Sequence, residues 1–547
     1  MITNNFKTKF ASFRAAAKKS SLRLEASLFI TLFSIGLILV PTYGIGWDEY
    51  GGRAHGTYNV VGILRFLAPS LVPSAYKNFP TLDEWYAYTH GAWFEILLSS
   101  FEVLLRLEGL HEIYIMRHIL TFSFCFFGLI NFYYFIKRSF DNPIYSLFAL
   151  CFAILSPRIF ADSFYNNKDT IFMSLMAILM NRFSLFLTRG DAKSLLLLAL
   201  AAGLMSGLRI VGLALLPFIL VGILYRAFTQ ISVLSQKYTQ GLKNSLIFLI
   251  VSFCTLILSM PYLWSQPLRR LLKIVKENRN FDWPGFVRFD GIIYSAKDLP
   301  WNYLPKWILI TTPPIFLLLA AIGFFLLGIL PSTKNRSVKC DKTFLITIQT
   351  FTAAFMTTII VAIASNSTLY GGWRHFYFIY PTIISLSILG LSGLMSSHFK
   401  ALKFLATFII AVQVLNVAGW TIRNHPHQNL YFNSFAGSIP AKNWDFDYWG
   451  TTNTEVLRWI LKEDLRDSFS VSSNIENPLG QSEKLLSPSE LQRIVFLRGG
   501  LLTEPDYFID NFMGTSAPNV EREITNYRLI KQFRVDSHVY TSIYLRI

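Results

Sequence analysis

Runs of apolar residues long enough to cross a bilayer recur along the chain, and no other feature restricts its fold so strongly. The segments 27–43, 308–330 and 402–420 approach or reach the roughly 20 residues needed to span ~30 Å of hydrocarbon. Counting such runs, and asking where Lys and Arg fall between them, predicts about 11 crossings: near 27–44, 117–136, 143–160, 170–187, 194–207, 209–226, 244–262, 307–330, 343–364, 376–396 and 403–421. Composition agrees, with 52% apolar and 15% charged residues, against about a quarter charged in an ordinary soluble domain. The expected fold class is mainly α, a polytopic transmembrane helix bundle.

The net charge of +17 raises nucleic acid as a partner, but the Lys and Arg are scattered over short loops between apolar runs instead of lining one face. They read as topology, and no nucleic-acid partner is expected. With the N-terminus inside, the segments 1–26, 137–142, 188–193, 226–243, 331–342 and 397–403 carry 19 Lys/Arg. The first outer loop, 45–116, is of similar total length and holds only Arg53, Arg65, Lys77 and Arg106. The basic residues ahead of the first run have the charge order of a signal sequence, but Pro41 to Trp47 lacks a small-x-small cleavage site, so a retained anchor is expected. The four cysteines form no CxxC and no Cys/His cluster, which indicates neither a disulfide framework nor a zinc site.

Within the outer loop, 58–68 and 93–107 are apolar but short or interrupted by charge, and read as helices lying in the interface. A crossing at 93–107 would invert every later helix and put Lys137 and Arg138 outside. The outer segment 263–305 is basic, with Leu268, Leu271, Leu272 and Val275 at helical spacing. That pattern fits a helix snorkelling into headgroups or a wall for an anionic lipid substrate. From about Thr421 the apolar runs shorten, a Thr452-x-x-Glu455 capping signal precedes 456–461, and 538–547 alternates as a strand does. A soluble α/β domain is expected over 422–547.

Ionisable residues gather at the outer ends of the predicted spans instead of the membrane midplane, where a coupled transporter would need them. Asp48, in Gly46-Trp47-Asp48-Glu49-Tyr50, is a carboxylate that could accept a proton from an attacking hydroxyl, or merely cap a helix. The polar turn expected over 156–169 carries Arg158, Asp162, Lys168 and Asp169, of which Asp169 could cap the next span and the cations could be interfacial anchors. Gly371-Gly372-Trp373-Arg374-His375 sets a guanidinium suited to phosphate beside an imidazole, and Arg209 is a further cation near a span end. A base for an acceptor together with cations for a departing lipid phosphate suits glycosyl transfer from a polyprenyl phosphate, which needs no strong general acid.

These residues resemble those of the GT-C membrane glycosyltransferases, in the branch containing protein O-mannosyltransferases and lipid A aminoarabinose transferases. The resemblance spans roughly 25–450. Trp47-Asp48-Glu49 is similar to the family's acidic first-loop motif, and Tyr165-Asn166-Asn167-Lys168-Asp169 to its second outer-loop motif ending in Asp. Pro261-Tyr262-Leu263-Trp264, 298–303 and 372–375 resemble segments of bacterial members. The Trp-Trp-Asp-Tyr-Gly signature of oligosaccharyltransferases and the MIR repeats of eukaryotic mannosyltransferases are missing, which argues against a eukaryotic-style protein acceptor.

The resemblance implies a GT-C-like transmembrane catalytic domain over 27–421, with outer loops 45–116 and 263–305, between a cytoplasmic basic tail at 1–26 and the non-cytoplasmic domain at 422–547. It implies inverting transfer from an undecaprenyl-type phosphate sugar to a lipid, glycan or protein acceptor, with no metal and no cofactor beyond the lipid-linked substrate. Asp48 would be the base and Asp169 a second catalytic residue. Glu49, Arg158, Lys168, Arg209, Arg374 and His375 would bind substrate, the cations among them by charge and position. The expected home is a bacterial inner membrane, N-terminus cytoplasmic and C-terminus periplasmic. A transporter or flippase for a lipid-linked saccharide is the alternative, and an assembly scaffold a third.

Overall fold

The structure, a computed structural model, describes residues 22–279, 281, 283–329, 339–438, 440–511 and 524–547. Each expected span falls on helix. Among the described residues eight helices are long and apolar enough to cross a membrane: Leu22–Thr42, Leu110–Ser139, Asp169–Arg189, Ile210–Gln230, Leu234–Ser259, Lys342–Ala364, Arg374–Ser396 and Lys400–Arg423. Asp169–Arg189 and Arg374–Ser396 are largely enclosed by the others, while Leu22–Thr42 and Lys400–Arg423 lie at the rim. Central helices of this kind associate by close packing of small residues, since lipid leaves no hydrophobic drive between them. Gly323 and Gly390 show it: a Cβ on either would strike a carbonyl oxygen of the facing helix, Leu386 O and Leu319 O respectively.

Three expected spans depart from a straight crossing. The run 143–160 is two helices, Ile144–Ile154 and Pro157–Tyr165, bent by 70°. Proline has no N–H to donate and forces the preceding residue out of the α region, and Ser156 stands at ψ 87°. The polar turn expected over 156–169 is therefore mostly this second helix, which turns back into the bundle. The run 307–330 is likewise split by Pro313-Pro314 into Tyr303–Thr311 and Pro314–Ile329. Ala192–Leu208, at 17 residues, is only about 26 Å long.

The loop 45–116 folds into Glu49–Leu67 and Trp93–Leu104, the second being only 12 residues, about 18 Å, and too short to cross. The basic segment 263–305 holds the helix Pro267–Arg279 and a hairpin of β1 (Phe286–Phe289) and β2 (Ile292–Ser295). On that helix Leu268 and Leu272 are exposed while Ile274 is buried.

After Arg423 the chain returns across the bundle. Phe289 pairs with Trp444, which packs on Trp307 in the membrane-domain core, while Leu430, Ala441 and Phe446 join a separate core around Val456, Ile460, Val471, Ile509 and Ile543. Its sheet has β3 (Phe469–Ser473), β4 (Ile494–Phe496), β5 (Tyr507–Asn511), β6 (Tyr527–Val535) and β7 (His538–Arg546) in the order β4-β3-β5-β7-β6. The β3 pairings with β4 and β5 are parallel; β7 joins β5 and β6 antiparallel. The Thr452/Glu455 capping box does not form: Thr452 Oγ1 donates to Asp447 Oδ2 at 2.7 Å and Glu455 binds His427 at 2.5 Å and Tyr540 at 2.9 Å. A capping box does form at Ser487 and Glu490.

Candidate active site

The charged residues singled out in the sequence sit where helices start or break, because only there can the bundle present a polar side chain without burying it among lipid-facing apolar groups. Asp48 is the N-cap residue of Glu49–Leu67, yet its side chain makes no capping hydrogen bond. It accepts instead from Arg374 Nη1 at 2.7 Å. Asp169 opens the helix Asp169–Arg189, and its capping is done by Asn166, whose Oδ1 accepts from the Asp169 N–H at 2.9 Å. The Asp169 carboxylate is thereby left for the ion pair with Arg209 and a longer approach to Arg374 at 3.9 Å. Arg209 occupies the extended break between Ala192–Leu208 and the turn that follows. Arg374 follows two glycines at φ +63° and +68°, a conformation that costs a side-chain-bearing residue roughly 1 kcal/mol or more. Gly371 and Gly372 fold the backbone so that the guanidinium stacks on Trp449 and Tyr370, 4.5 and 5.0 Å from the ring centroids.

These residues border a cavity of about 810 Å³. Asp48, Lys168, Arg209, Arg374 and His375 all line it, as do Trp47, His55, Tyr86, His90 and Tyr370. Lys484 and Arg498 of the C-terminal domain line it as well, so that five cationic side chains face two carboxylates, Asp48 and Glu483. The Asp48–Arg374 pair also borders a second cavity, of about 360 Å³, walled by Trp283, Tyr448 and Trp449. Arg209 and Arg374 each keep a buried Nε–H with no hydrogen-bond partner among the described residues, so guanidinium capacity remains after the carboxylates are served.

Electrostatics follow from this crowding of cations. Burial alone would raise the Asp48 pKa, but Arg374, with Lys168 and His375 behind it, holds the carboxyl well below the usual carboxylate range. His55 is pushed down to about 3 by burial and then by Lys168, and His90 to about 4 by burial, Lys168 and Arg209. Both imidazoles are neutral at physiological pH. Trp85 Nε1 donates to His55 Nδ1 at 2.9 Å, which leaves His55 Nε2 to donate to the His90 carbonyl at 3.2 Å.

Three expectations change. Asp169 does not line the cavity; its carboxylate is buried and pairs with Arg209, which does line it, with Arg374 3.9 Å away. Glu49 turns inward, accepting from the Gly46 N–H at 2.7 Å and His118 Nε2 at 2.9 Å, and is too enclosed to meet a substrate. Arg158 is buried too: its Nε donates to the Tyr431 carbonyl at 2.8 Å and its guanidinium lies 4.3 Å from the Phe432 ring centroid. It ties the broken span to the segment after the last one. Tyr370, next to the Gly371–His375 motif, lines the cavity with it, whereas Trp283, Lys484 and Arg498 carry no sequence signal, because they lie far from the motifs in chain position. Among the described residues no group of three or more His, Cys, Asp and Glu stands at metal-binding spacing.

No family model and no curated protein matches the chain. Among solved structures it is similar to ArnT from Cupriavidus metallidurans in the apo state, at 10% identity and a TM-score of 0.45, over 96% of this chain and 98% of that one. The same protein bound to undecaprenyl phosphate matches at 12% identity and a TM-score of 0.43, over 95% and 98%. The oligosaccharyltransferase of Archaeoglobus fulgidus in the apo form matches at 10% and 0.40, over 88% of this chain and 69% of that one. These proteins are glycosyltransferases of the GT-C class.

Proposed function

We propose that this chain moves a sugar from a polyprenyl-phosphate donor to a lipid, glycan or protein acceptor at the non-cytoplasmic face of a bacterial inner membrane. The observation that supports this most directly is the Asp48–Arg374 pair, set where two cavities meet and backed by Arg209 and Lys168. The meeting of two cavities gives room for two substrates to face one carboxylate. An acceptor oxygen attacks the anomeric carbon while the bond from that carbon to the phosphate oxygen breaks with its electron pair. The acceptor proton passes to Asp48, and the charge left on the phosphate is met by Arg374, Arg209 and Lys168. A single displacement of this kind inverts the anomeric centre.

The low pKa of Asp48 makes it a weak base at rest but keeps it ionised. As the phosphate draws Arg374 towards itself, Asp48 loses part of the interaction that depresses its pKa and becomes more basic as the proton arrives. The cations serve the phosphate without a metal, so a chelator should leave transfer unchanged. The test is transfer from a polyprenyl-phosphate sugar by Asp48→Asn and Asp169→Asn variants that insert normally. Wild-type rates in both would sink the proposal, and movement of a lipid-linked saccharide across vesicles without donor consumption would favour a carrier.

A further inference from the structure

The C-terminal domain does more than cover the membrane bundle. Its segment Glu476–Ser482 and the following turn Glu483–Leu485 reach down to the cavity, and Leu485 packs with Ile45 and Tyr114 of the bundle. The Leu485 carbonyl accepts from Arg458 Nη2 at 3.1 Å and lies 3.2 Å from a ring nitrogen of His111. This strip is held from both sides.

On it stands Lys484, 8% exposed and lining the cavity. Buried ammonium groups are ordinarily paired with a carboxylate at hydrogen-bond distance, because desolvation of an isolated cation is costly. Lys484 has no such partner among the described residues. Its Nζ donates to the Gly480 carbonyl at 3.3 Å, stands 3.9 Å from Glu483, and lies 5.0 Å from the Tyr50 ring centroid, two residues along from Asp48. Burial lowers its pKa, with Glu483 opposing the drop and Arg53 adding to it. Arg498, on the same cavity, makes no ion pair among the described residues. Neither cation is consumed by the membrane-domain carboxylates that occupy Arg209 and Arg374.

We infer that Lys484 and Arg498 form a second anion site, in the wall supplied by the C-terminal domain, that takes a phosphate or carboxylate borne by a substrate in addition to the reacting phosphate. This rests on the proposed transfer reaction for its place in catalysis, but not for the anion site itself. Two sources carry that chemistry: an acidic group on the acceptor, or a second phosphate on a diphosphate-linked donor.

The experiment uses the full chain in nanodiscs, wild type and the variants Lys484→Gln, Lys484→Arg and Arg498→Gln, with tryptophan fluorescence as readout, since Trp47 lines the cavity. Undecaprenyl monophosphate and undecaprenyl diphosphate are titrated first, then inorganic phosphate onto protein saturated with the monophosphate. The expected result is an unchanged monophosphate affinity in both Gln variants, together with about tenfold weaker binding of either the diphosphate or the added inorganic phosphate, restored in Lys484→Arg. Loss confined to the diphosphate assigns the site to the donor; loss confined to inorganic phosphate assigns it to the acceptor. Wild-type binding of all three probes by Lys484→Gln and Arg498→Gln would overturn the inference. Arg498 is exposed, so its variant reads the site even where Lys484→Gln folds poorly. Failure of the wild type to bind either lipid phosphate would count against the transfer reaction, while inorganic phosphate would still report on Lys484 and Arg498.

Discussion

Replacing Arg374 by Gln tests the reasoning about the site most sharply, because one guanidinium serves two carboxylates in different surroundings. Asp169 is only 1% exposed, and breaking a buried ion pair typically costs about 3–5 kcal/mol by leaving a charge uncompensated. Here the 3.9 Å approach is long, and Arg209 and Asn166 still hold Asp169 in the variant. Asp48 is closer, at 2.7 Å, but its side chain is 36% exposed and water screens it, so its share is no more than ~1 kcal/mol. The expected destabilisation is therefore about 2 kcal/mol, below the cost of an isolated buried pair. Transfer should suffer more. Losing one preorganised donor aimed at developing charge lowers kcat by about 10²–10³-fold. Arg374→Lys keeps the charge and loses the planar fork, and should fall between the two. The assays are thermal unfolding in detergent and transfer from a polyprenyl-phosphate sugar. A folded Arg374→Gln protein that transfers within about threefold of wild type would refute the assignment, since no preorganised donor of that kind could then have been removed.

Other consequences are open to measurement. Asp48 has its folded pKa below the unfolded value near ~3.9, so the stability it contributes is present above that value and lost as pH falls through the folded pKa. The acid limb of the rate profile should accordingly lie below about pH 4 in the wild type, with His55 and His90 adding nothing above it. In Arg374→Gln burial is no longer opposed by the guanidinium, and the limb should move upward; an unmoved limb would exclude Asp48 as the titrating group. Glu95→Gln leaves the buried Arg117 without its carboxylate and should destabilise by about 3–5 kcal/mol, read as a lowered unfolding midpoint with little effect on donor affinity. Gly372→Ala must hold φ +68° with a Cβ 3.2 Å from the Trp307 ring, costing about 1–2 kcal/mol and slowing transfer by displacing Arg374. Incubation with EDTA should leave transfer unchanged, whereas a loss restored by a divalent cation would reject the metal-free mechanism.

The helical class was legible in the apolar runs alone, because runs of about 20 residues leave the backbone no way to satisfy its hydrogen bonds in lipid except helix. The same runs also fixed where charge could sit: Asp48, Lys168, Asp169, Arg209 and Arg374 fall at the ends of apolar runs, and those ends became helix starts and breaks. Pro157 and Pro313-Pro314 were visible too, though their effect on 143–160 and 307–330 depended on how the chain turned afterwards. What local pattern could not decide was the direction of each side chain. Asp48 and Glu49 are neighbours, yet the backbone turn at the head of Glu49–Leu67 sends one to Arg374 and the other to His118. Asp169 lost its access to the cavity because Asn166 took over its capping and two arginines closed over it. Arg158 was drawn inward against the Phe432 ring, far away in the chain, a contact made by tertiary packing alone. Lys484 and Arg498 had no sequence signature, since a cation acquires meaning only from what faces it. The fold brought them to the same cavity as Asp48 by docking the C-terminal domain on the helix ends that carry Asp48, Lys168, Arg209 and Arg374, and the charge of the cavity was settled there.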